Sequence, residues 1–494
     1  MNDNPPPLKL ATGVPGLDAI LGGGIREFSF LYLAGPPGSG KTTLAHQIMF
    51  ALATPERPAL YFTMAGEPPL KMQEFQEQFS FFDHARLSSE VRFFSLSDTM
   101  VTVNCDGLLK RIMEEVEAFG PALVIIDAFR EGTLEVNNQI PGRIRPRQFI
   151  QQLSVQLSAW HTTTVLIGEA PSNLDRNPAY TVADGLILLH QSVVRNSMVR
   201  KMEILKMRGQ PTSPGLHTFR ITDNGIETFP SAVVVGDPQA AHTDSRAMHS
   251  DKRLAMGVAG LDDMLGGGLP AGYSLLVAGP SGSGKTILAT SFLAEGVRRG
   301  EPGVIVAFEQ IPSQSLTPAV HDMVRKGAIG LINTRALDLS IDEIVQHLTV
   351  VIKKMKATRV VIDSLSGFEL SVAPTFREDF REALFRMVSV LAGLGVTVLM
   401  TSELEDRYTD LRFSPYGTAF LTDAIIVQRY IEIKSHLERV MAVVKVRGSA
   451  HSNELRQFEI TDAGIIIGDT IDSYEGILGG HPTQEEGKLA GGGS

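Results

Sequence analysis

The sequence predicts an α/β fold of two tandem modules, each a mostly parallel twisted sheet flanked by helices. The first observation behind this is a local succession. The apolar run Ser274-Leu275-Leu276-Val277-Ala278 leads into Gly279-Pro280-Ser281-Gly282-Ser283-Gly284-Lys285-Thr286, and a helix-forming stretch follows from Ile287 to Leu293. Strand, glycine loop and helix are the setting of a P-loop. The second observation is that the succession recurs: Phe30-Leu31-Tyr32-Leu33-Ala34 precedes Gly35-Pro36-Pro37-Gly38-Ser39-Gly40-Lys41-Thr42-Thr43. The third is the reach of the repeat. Gly13-Val14-Pro15-Gly16-Leu17-Asp18 is matched by Gly257-Val258-Ala259-Gly260-Leu261-Asp262, and Leu21-Gly22-Gly23-Gly24 by Leu265-Gly266-Gly267-Gly268. A repeat this long makes the module the unit of the fold.

Each loop carries its chemistry in its residue types. The glycines let backbone N–H groups converge on a phosphate chain at a helix N-terminus. Lys41 and Lys285 are placed to reach the β- and γ-phosphates, and Thr42 and Thr286 to offer a hydroxyl to Mg²⁺. Residues 35–43 and 279–287 are therefore the expected nucleotide-binding segments, with ATP and Mg²⁺ as cofactors.

The chain has 494 residues, 43% hydrophobic and 20% charged, and a formal net charge of −10. That length and the repeat give two modules of ample size for a core. The negative balance argues against a general nucleic-acid surface. Arg143-Ile144-Arg145-Pro146-Arg147 is the local exception. It keeps a DNA-dependent motor with a basic pore loop as an alternative; the arginines would otherwise line a ring or pair with a neighbour. One cysteine, Cys105, precludes an internal disulfide and suits a reducing, cytoplasmic setting. The polar, proline-rich start reads as no signal peptide, and no apolar run is long enough to span a bilayer.

In order, residues 1–10 read as a flexible arm and 11–235 as the first module. After the P-loop and its helix, Ala59 to Met64 is a short buried strand leading to Gly66-Glu67. A carboxylate at such a strand end can polarise an attacking water; the alternative for Glu67 is a solvated loop residue before Pro68-Pro69. Phe75 to Phe82 is aromatic-rich and reads as a core-packing helix end. Leu108 to Ala118 is an amphipathic helix with Leu109, Ile112, Met113 and Val116 on one face. Ala122-Leu123-Val124-Ile125-Ile126-Asp127 is a Walker B pattern: a strand buried on both faces, then an acid for the Mg²⁺ shell. Thr163 to Glu169 and Ala183 to Leu189 continue the sheet, and Phe219 to Ile226 closes it as a hairpin turning on Asn224-Gly225.

Residues 236–253 are small and polar, an interdomain linker. Residues 254–467 repeat the plan, and 468–494 read as a flexible tail. Val304 to Phe308 ends on Glu309-Gln310, and Arg359-Val360-Val361-Ile362-Asp363 is the second Walker B. Each module also ends a strand on a cation pair, Lys206-Met207-Arg208-Gly209 and Lys445-Val446-Arg447-Gly448. Residues two apart in a strand face one side. Lys206 with Arg208, and Lys445 with Arg447, would thus project together and act in trans on a neighbour's γ-phosphate, as an arginine finger does. A pair of solvated cations is the alternative.

These motifs resemble the KaiC family, the core ATPase of the cyanobacterial circadian clock and its bacterial relatives. The likeness covers roughly residues 10 to 475 and includes Gly448-Ser449-Ala450-His451 and Arg456 to Asp462. The resemblance implies RecA-like modules in a double-ring homohexamer with ATP between subunits, slow hydrolysis, and a KaiB-like or other signalling protein as partner. It also implies a catalytic role for Glu309, and for Glu67 only if it slips from a strict alignment, because Ala65-Gly66 stand where the family has paired glutamates. The family's C-terminal ring autophosphorylates adjacent hydroxyls just before Leu-Thr-Asp. Here Ala419-Phe420 precede Leu421-Thr422-Asp423, so those acceptors are missing; Ser414, Thr418 and Thr422 are the nearby hydroxyls.

Overall fold

The computed structural model describes residues 8–64, 69–96, 105–129, 146–170, 178–194, 197–231, 252–308, 317–333, 340–372, 380–404, 421–433, 435–462, 464–471, 474–475 and 483–484. Glu67, Glu309, Gln310, Arg143, Arg145, Ser414, Thr418, Ala419, Phe420 and the linker positions 236–251 lie outside them. The chain divides into two compact units, Met1–Val234 and Val235–Ser494.

The first unit's main sheet has nine strands: β1 (Phe30–Ala34), β2 (Ala59–Thr63), β3 (Val91–Ser95), β4 (Leu123–Phe129), β5 (Thr163–Gly168), β6 (Gly185–Val194), β7 (Ser197–Met207), β8 (Leu216–Thr222) and β9 (Gly225–Phe229). Their order is β9-β8-β7-β6-β1-β5-β4-β2-β3. The six from β6 to β3 run parallel, and β7, β8 and β9 add an antiparallel meander. The strand β1 sits where the order reverses, between β5 and β6, the switch point at which open α/β sheets bind ligands.

The second unit repeats this strand for strand: β10 (Ser274–Gly279), β11 (Gly303–Ala307), β12 (Ile329–Asn333), β13 (Arg359–Asp363), β14 (Thr397–Glu403), β15 (Ala424–Ile433), β16 (His436–Val446), β17 (Leu455–Thr461) and β18 (Gly464–Thr470). Their order, β12-β11-β13-β14-β10-β15-β16-β17-β18, is the same path. The predicted tandem α/β architecture is thus the observed one.

Alternation along a strand explains why β1 is buried at every position. Leu31 and Leu33 enter the core shared with the P-loop helix α1 (Lys41–Leu52), whereas Phe30, Tyr32 and Ala34 enter the core on the other face. That second face is covered by α2 (Cys105–Phe119) and α3 (Pro146–Ala159). The buried stripe of α2 is Cys105, Leu108, Leu109, Ile112 and Val116, with Met113 at its margin. Each such large apolar side chain contributes about 1.5–3 kcal/mol relative to exposure. Of the aromatic stretch, Phe79 is buried and Phe81 and Phe82 pack on the first core beside Phe50, while Phe75 is half exposed. In the closing hairpin Thr222 pairs with Gly225, so the turn residues are Asp223 and Asn224, and Gly225 (φ +95°) opens the return strand.

The Gly-x-x-Gly-Leu-Asp motif is a latch. Leu17 and Leu261 are fully buried. Asp18 accepts from Thr12 N at 2.9 Å and Thr12 Oγ1 at 2.7 Å, and Asp262 accepts from Met256 N at 2.6 Å. Each aspartate pins the segment entering its module. Before the first latch, Lys9–Leu10 already pairs with Ile25–Arg26. At the far end, Tyr474–Glu475 pairs with Thr483–Gln484. Among the described residues no helix is long and apolar enough to cross a membrane.

Candidate nucleotide site

Both P-loops leave the C-terminal end of a central strand and turn at once into a helix: α1 in the first module and α4 (Lys285–Arg298) in the second. Gly40 and Gly284, the residues before the helices, have φ +96° and +100°. A Cβ there would lie 2.9 Å from Ile221 Cδ1 and 2.8 Å from Ile460 Cδ1, so both conformation and space require glycine. Neither helix has a side-chain N-cap. Its first N–H groups stay available to an anion, where the helix dipole favours negative charge.

The P-loop lysines curl back on their own loops. Lys41 Nζ donates to Gly35 O (2.8 Å) and Pro36 O (2.9 Å), and Lys285 Nζ to Gly279 O (2.8 Å) and Pro280 O (2.7 Å). Burial lowers the Lys285 pKa, with Glu403 and Asp363 acting the other way. Among the remaining loop residues, Ser283 Oγ donates to Gln428 Oε1 on β15 at 3.0 Å, fastening the second loop to the sheet.

The Walker B acids stand next to these loops, on β4 and β13. Asp127 Oδ2 accepts from Thr42 Oγ1 at 2.7 Å and from Tyr61 Oη at 2.5 Å. Asp363 Oδ1 accepts from Thr401 Oγ1. A carboxylate beside a hydroxyl is an all-oxygen donor set, which suits a hard ion such as Mg²⁺ completing its octahedron with phosphate and water. The fit to ATP and Mg²⁺ is therefore good in the first module, and the same residue types recur in the second.

The rings of Tyr61, His46 and Phe93 form a cluster, with Tyr61 4.5 Å from His46 and 5.3 Å from Phe93 between centroids, and His46 5.6 Å from Phe93. Burial drives the His46 pKa from 6.5 to about 3; the nearby Gln76 amide counteracts this only in part, and neither ring nitrogen completes a hydrogen bond. His46 is therefore neutral in the fold but protonates in the unfolded chain below about pH 6.5. The unfolded state then holds the extra proton, so stability is complete above that pH and falls as pH drops toward the folded pKa. At pH 5 the first module is expected to have lost about 2 kcal/mol through this group. Urea denaturation from pH 7.5 to 5 checks it: His46→Leu should flatten the decline relative to the parent chain, and an unchanged slope contradicts the assignment.

The cation pairs stand elsewhere. Lys206, the last residue but one of β7, is in register with Leu186, beside the start of β6, and its Nζ donates to Ala183 O at 2.6 Å. Lys445 does the same to Thr422 O at 2.6 Å. Arg208 pairs with Asp184 at 3.2 Å and Arg447 with Asp423 at 3.5 Å. Desolvation lowers the pKa of both lysines, and the neighbouring arginine lowers it further. Asp184 also accepts from Phe30 N, and Asp423 from Ser274 N and Oγ. These aspartates lock the foot of the central strand to the cation pair. The Asp repeated before β6 and β15 is their signal in the sequence, and it belongs to none of the nucleotide-binding motifs.

Phe30 and Ser274 begin the central strands, and the P-loops leave their other ends. At about 3.3 Å per residue the four steps from Phe30 to Ala34 put the two ends of β1 roughly 13 Å apart. In each module the cation pair and the P-loop thus occupy opposite ends of the same sheet. The structure brings Thr42 and Asp127 together with the P-loop and keeps Lys206 and Arg208 away from it. Thr422, one of the hydroxyls near the missing acceptors, is fully buried.

The family model for the KaiC ATPase matches residues 10–233 and again 254–471. The circadian clock oscillator protein KaiC of Picosynechococcus is 27% identical over 496 aligned residues, covering 96% of this chain and 92% of that protein. KaiC 1 of Synechocystis gives the same figures. KaiC of Synechococcus elongatus is 26% identical, again over 96% of this chain and 92% of that protein.

Proposed function

The chain belongs to the KaiC ATPase family, and from that premise we propose that it is a homohexameric ATPase which binds ATP and Mg²⁺ between subunits, hydrolyses slowly and signals through its nucleotide state. The observation that carries this reading is the separation of P-loop and cation pair to opposite ends of each sheet. A Lys-x-Arg pair that cannot reach its own γ-phosphate has a use if an adjacent copy presents it to the next copy's site. Closed cyclic assembly gives every site such a donor.

In this reading Lys41 and Lys285 leave their loop carbonyls and bind the β- and γ-phosphates. Thr42 and Thr286, with Asp127 and Asp363, would hold Mg²⁺, which would supply charge neutralisation at the phosphates. Glu309 orients the attacking water in the second module, and Glu67 is the candidate for the first. Lys206, Arg208, Lys445 and Arg447 stabilise transition-state charge from the neighbour. Clock-type autophosphorylation has little support, because Ala419 and Phe420 offer no hydroxyl and Thr422 is buried. A KaiB-like or other signalling protein would read the assembled state.

Size-exclusion chromatography with and without ATP tests the assembly. A hexamer that forms only with nucleotide supports it, and a monomer that retains bound nucleotide overturns it. Phosphate release should fall at least about 100-fold in Glu309→Gln if the second module dominates turnover.

A further inference from the structure

The two Walker B acids are tethered by different strands. In the first module the tether comes from β2, where Tyr61 Oη meets Asp127 Oδ2 at 2.5 Å. In the second it comes from β14, on the other side of the acid's strand, where Thr401 Oγ1 meets Asp363. The registers show that the devices are exclusive. Tyr61 is the third residue of β2, and the third residue of β11 is Ile305. Thr401 pairs with Val277 as Ile167 pairs with Leu33. Each module therefore has an apolar residue where the other has its hydroxyl.

A buried tyrosine hydroxyl needs an acceptor in any case. That need alone does not account for the second module, where the acid again receives a hydroxyl, but from the opposite flank. What persists is the fixed carboxylate. The terminal torsion of an aspartate is soft, and Asp127 receives both Thr42 and Tyr61 on one oxygen, Oδ2. The Tyr61 ring is itself fully buried and packs against His46 and Phe93, which also touch each other.

We propose that Tyr61 and Thr401 are module-specific positioning residues, each fixing the orientation of one metal-binding acid, so that the Mg²⁺ requirement of each site is set by its own hydroxyl. This rests on the Mg·ATP reading above. Outer partners of metal ligands typically shift metal affinity by about 10- to 100-fold when removed.

The test measures binding of a fluorescent ATP analogue, N-methylanthraniloyl-ATP, against Mg²⁺ concentration, and again in EDTA. Lys285→Ala confines binding to the first module, and Lys41→Ala to the second. In the first background, Tyr61→Phe should raise the Mg²⁺ midpoint about 10- to 100-fold and leave the affinity in EDTA unchanged. In the second background, Thr401→Val should do the same, and neither variant should move the other module's midpoint. Tyr61→Phe keeps the ring packing, and a thermal melt verifies its fold; Thr401→Val carries the test independently should that variant unfold. A midpoint within about twofold of the parent in a folded variant overturns the assignment for that module, as does an equal loss of affinity in EDTA, which marks a packing defect. Failure of the parent chain to bind the analogue with or without Mg²⁺ would instead refute the ATPase reading itself.

Discussion

Arg447→Ala is expected to lower phosphate release from the second module by about 10³-fold or more while changing nucleotide affinity by less than about tenfold. A finger that acts in the transition state and is supplied by a neighbour has this signature: kcat falls and ground-state binding largely survives. Magnitudes separate this from a folding defect. A thousandfold loss corresponds to about 4 kcal/mol in the barrier. Arg447 meets Asp423 at 3.5 Å with 44% of its side chain exposed, and such pairs contribute about 0–1 kcal/mol to stability. The aspartate remains tied to Ser274 when the arginine is gone. Arg208→Ala should act in the same way on the first module, where Asp184 remains tied to Phe30. Steady-state kinetics beside equilibrium nucleotide binding make the comparison. Full activity in Arg447→Ala would remove the reason for placing this cation in a neighbour's site.

Arg359→Ala is expected to destabilise the second module by about 3–5 kcal/mol. The guanidinium is 0% exposed and has no water to fall back on. It donates to Glu301 Oε2 at 2.7 and 3.1 Å, to Ala255 O at 2.8 Å and to Phe292 O at 2.8 Å, and it stacks over the Phe292 ring at 4.5 Å. Three segments meet there: the chain entering the module, the P-loop helix, and the foot of β13, whose other end carries Asp363. Removing the arginine strands the mostly buried Glu301, with Lys252 at 3.0 Å as its remaining cation. For a module of this size the loss corresponds to a drop in melting temperature on the order of 10 °C. The double variant Arg359→Met/Glu301→Leu should recover much of it, since an apolar pair leaves no buried charge behind. Calorimetry on both variants checks this; a loss under about 1 kcal/mol for Arg359→Ala would mean that water replaces the guanidinium.

The contrast between these sites shows what was legible. The P-loops, the Walker B acids and the duplication were readable because short-range patterns encode them: glycines at fixed spacing, apolar runs ending in an acid, and self-similarity across the two halves. Arg359 was not readable, because a cation opening an apolar run looks like an ordinary strand boundary. Its partners Glu301, Ala255 and Phe292 are far away in sequence. Tyr61 was read as one more aromatic residue in a buried strand, and its hydroxyl acquires meaning only from Asp127 on the adjacent strand. Asp184 and Asp423 recur at matching places, yet their role as latches depends on strand pairing. The cation pairs were readable as pairs. Their distance from the P-loop of their own module follows from the direction of β7 and β16, which the sequence does not state. Glu67 and Glu309 lie outside the described residues, and their assignment rests on the family resemblance.

Mixing two inactive chains tests the central claim most directly. One carries Lys41→Ala and Lys285→Ala, with its four strand-end cations intact; the other carries Arg208→Ala and Arg447→Ala, with its P-loops intact. If each site joins a P-loop to a neighbour's cations, random co-assembly of equal amounts creates an intact combination at about a quarter of the interfaces. Phosphate release should recover to about that fraction of the parent rate. A mixture no more active than its two components, in assemblies shown to contain both chains, would contradict the account.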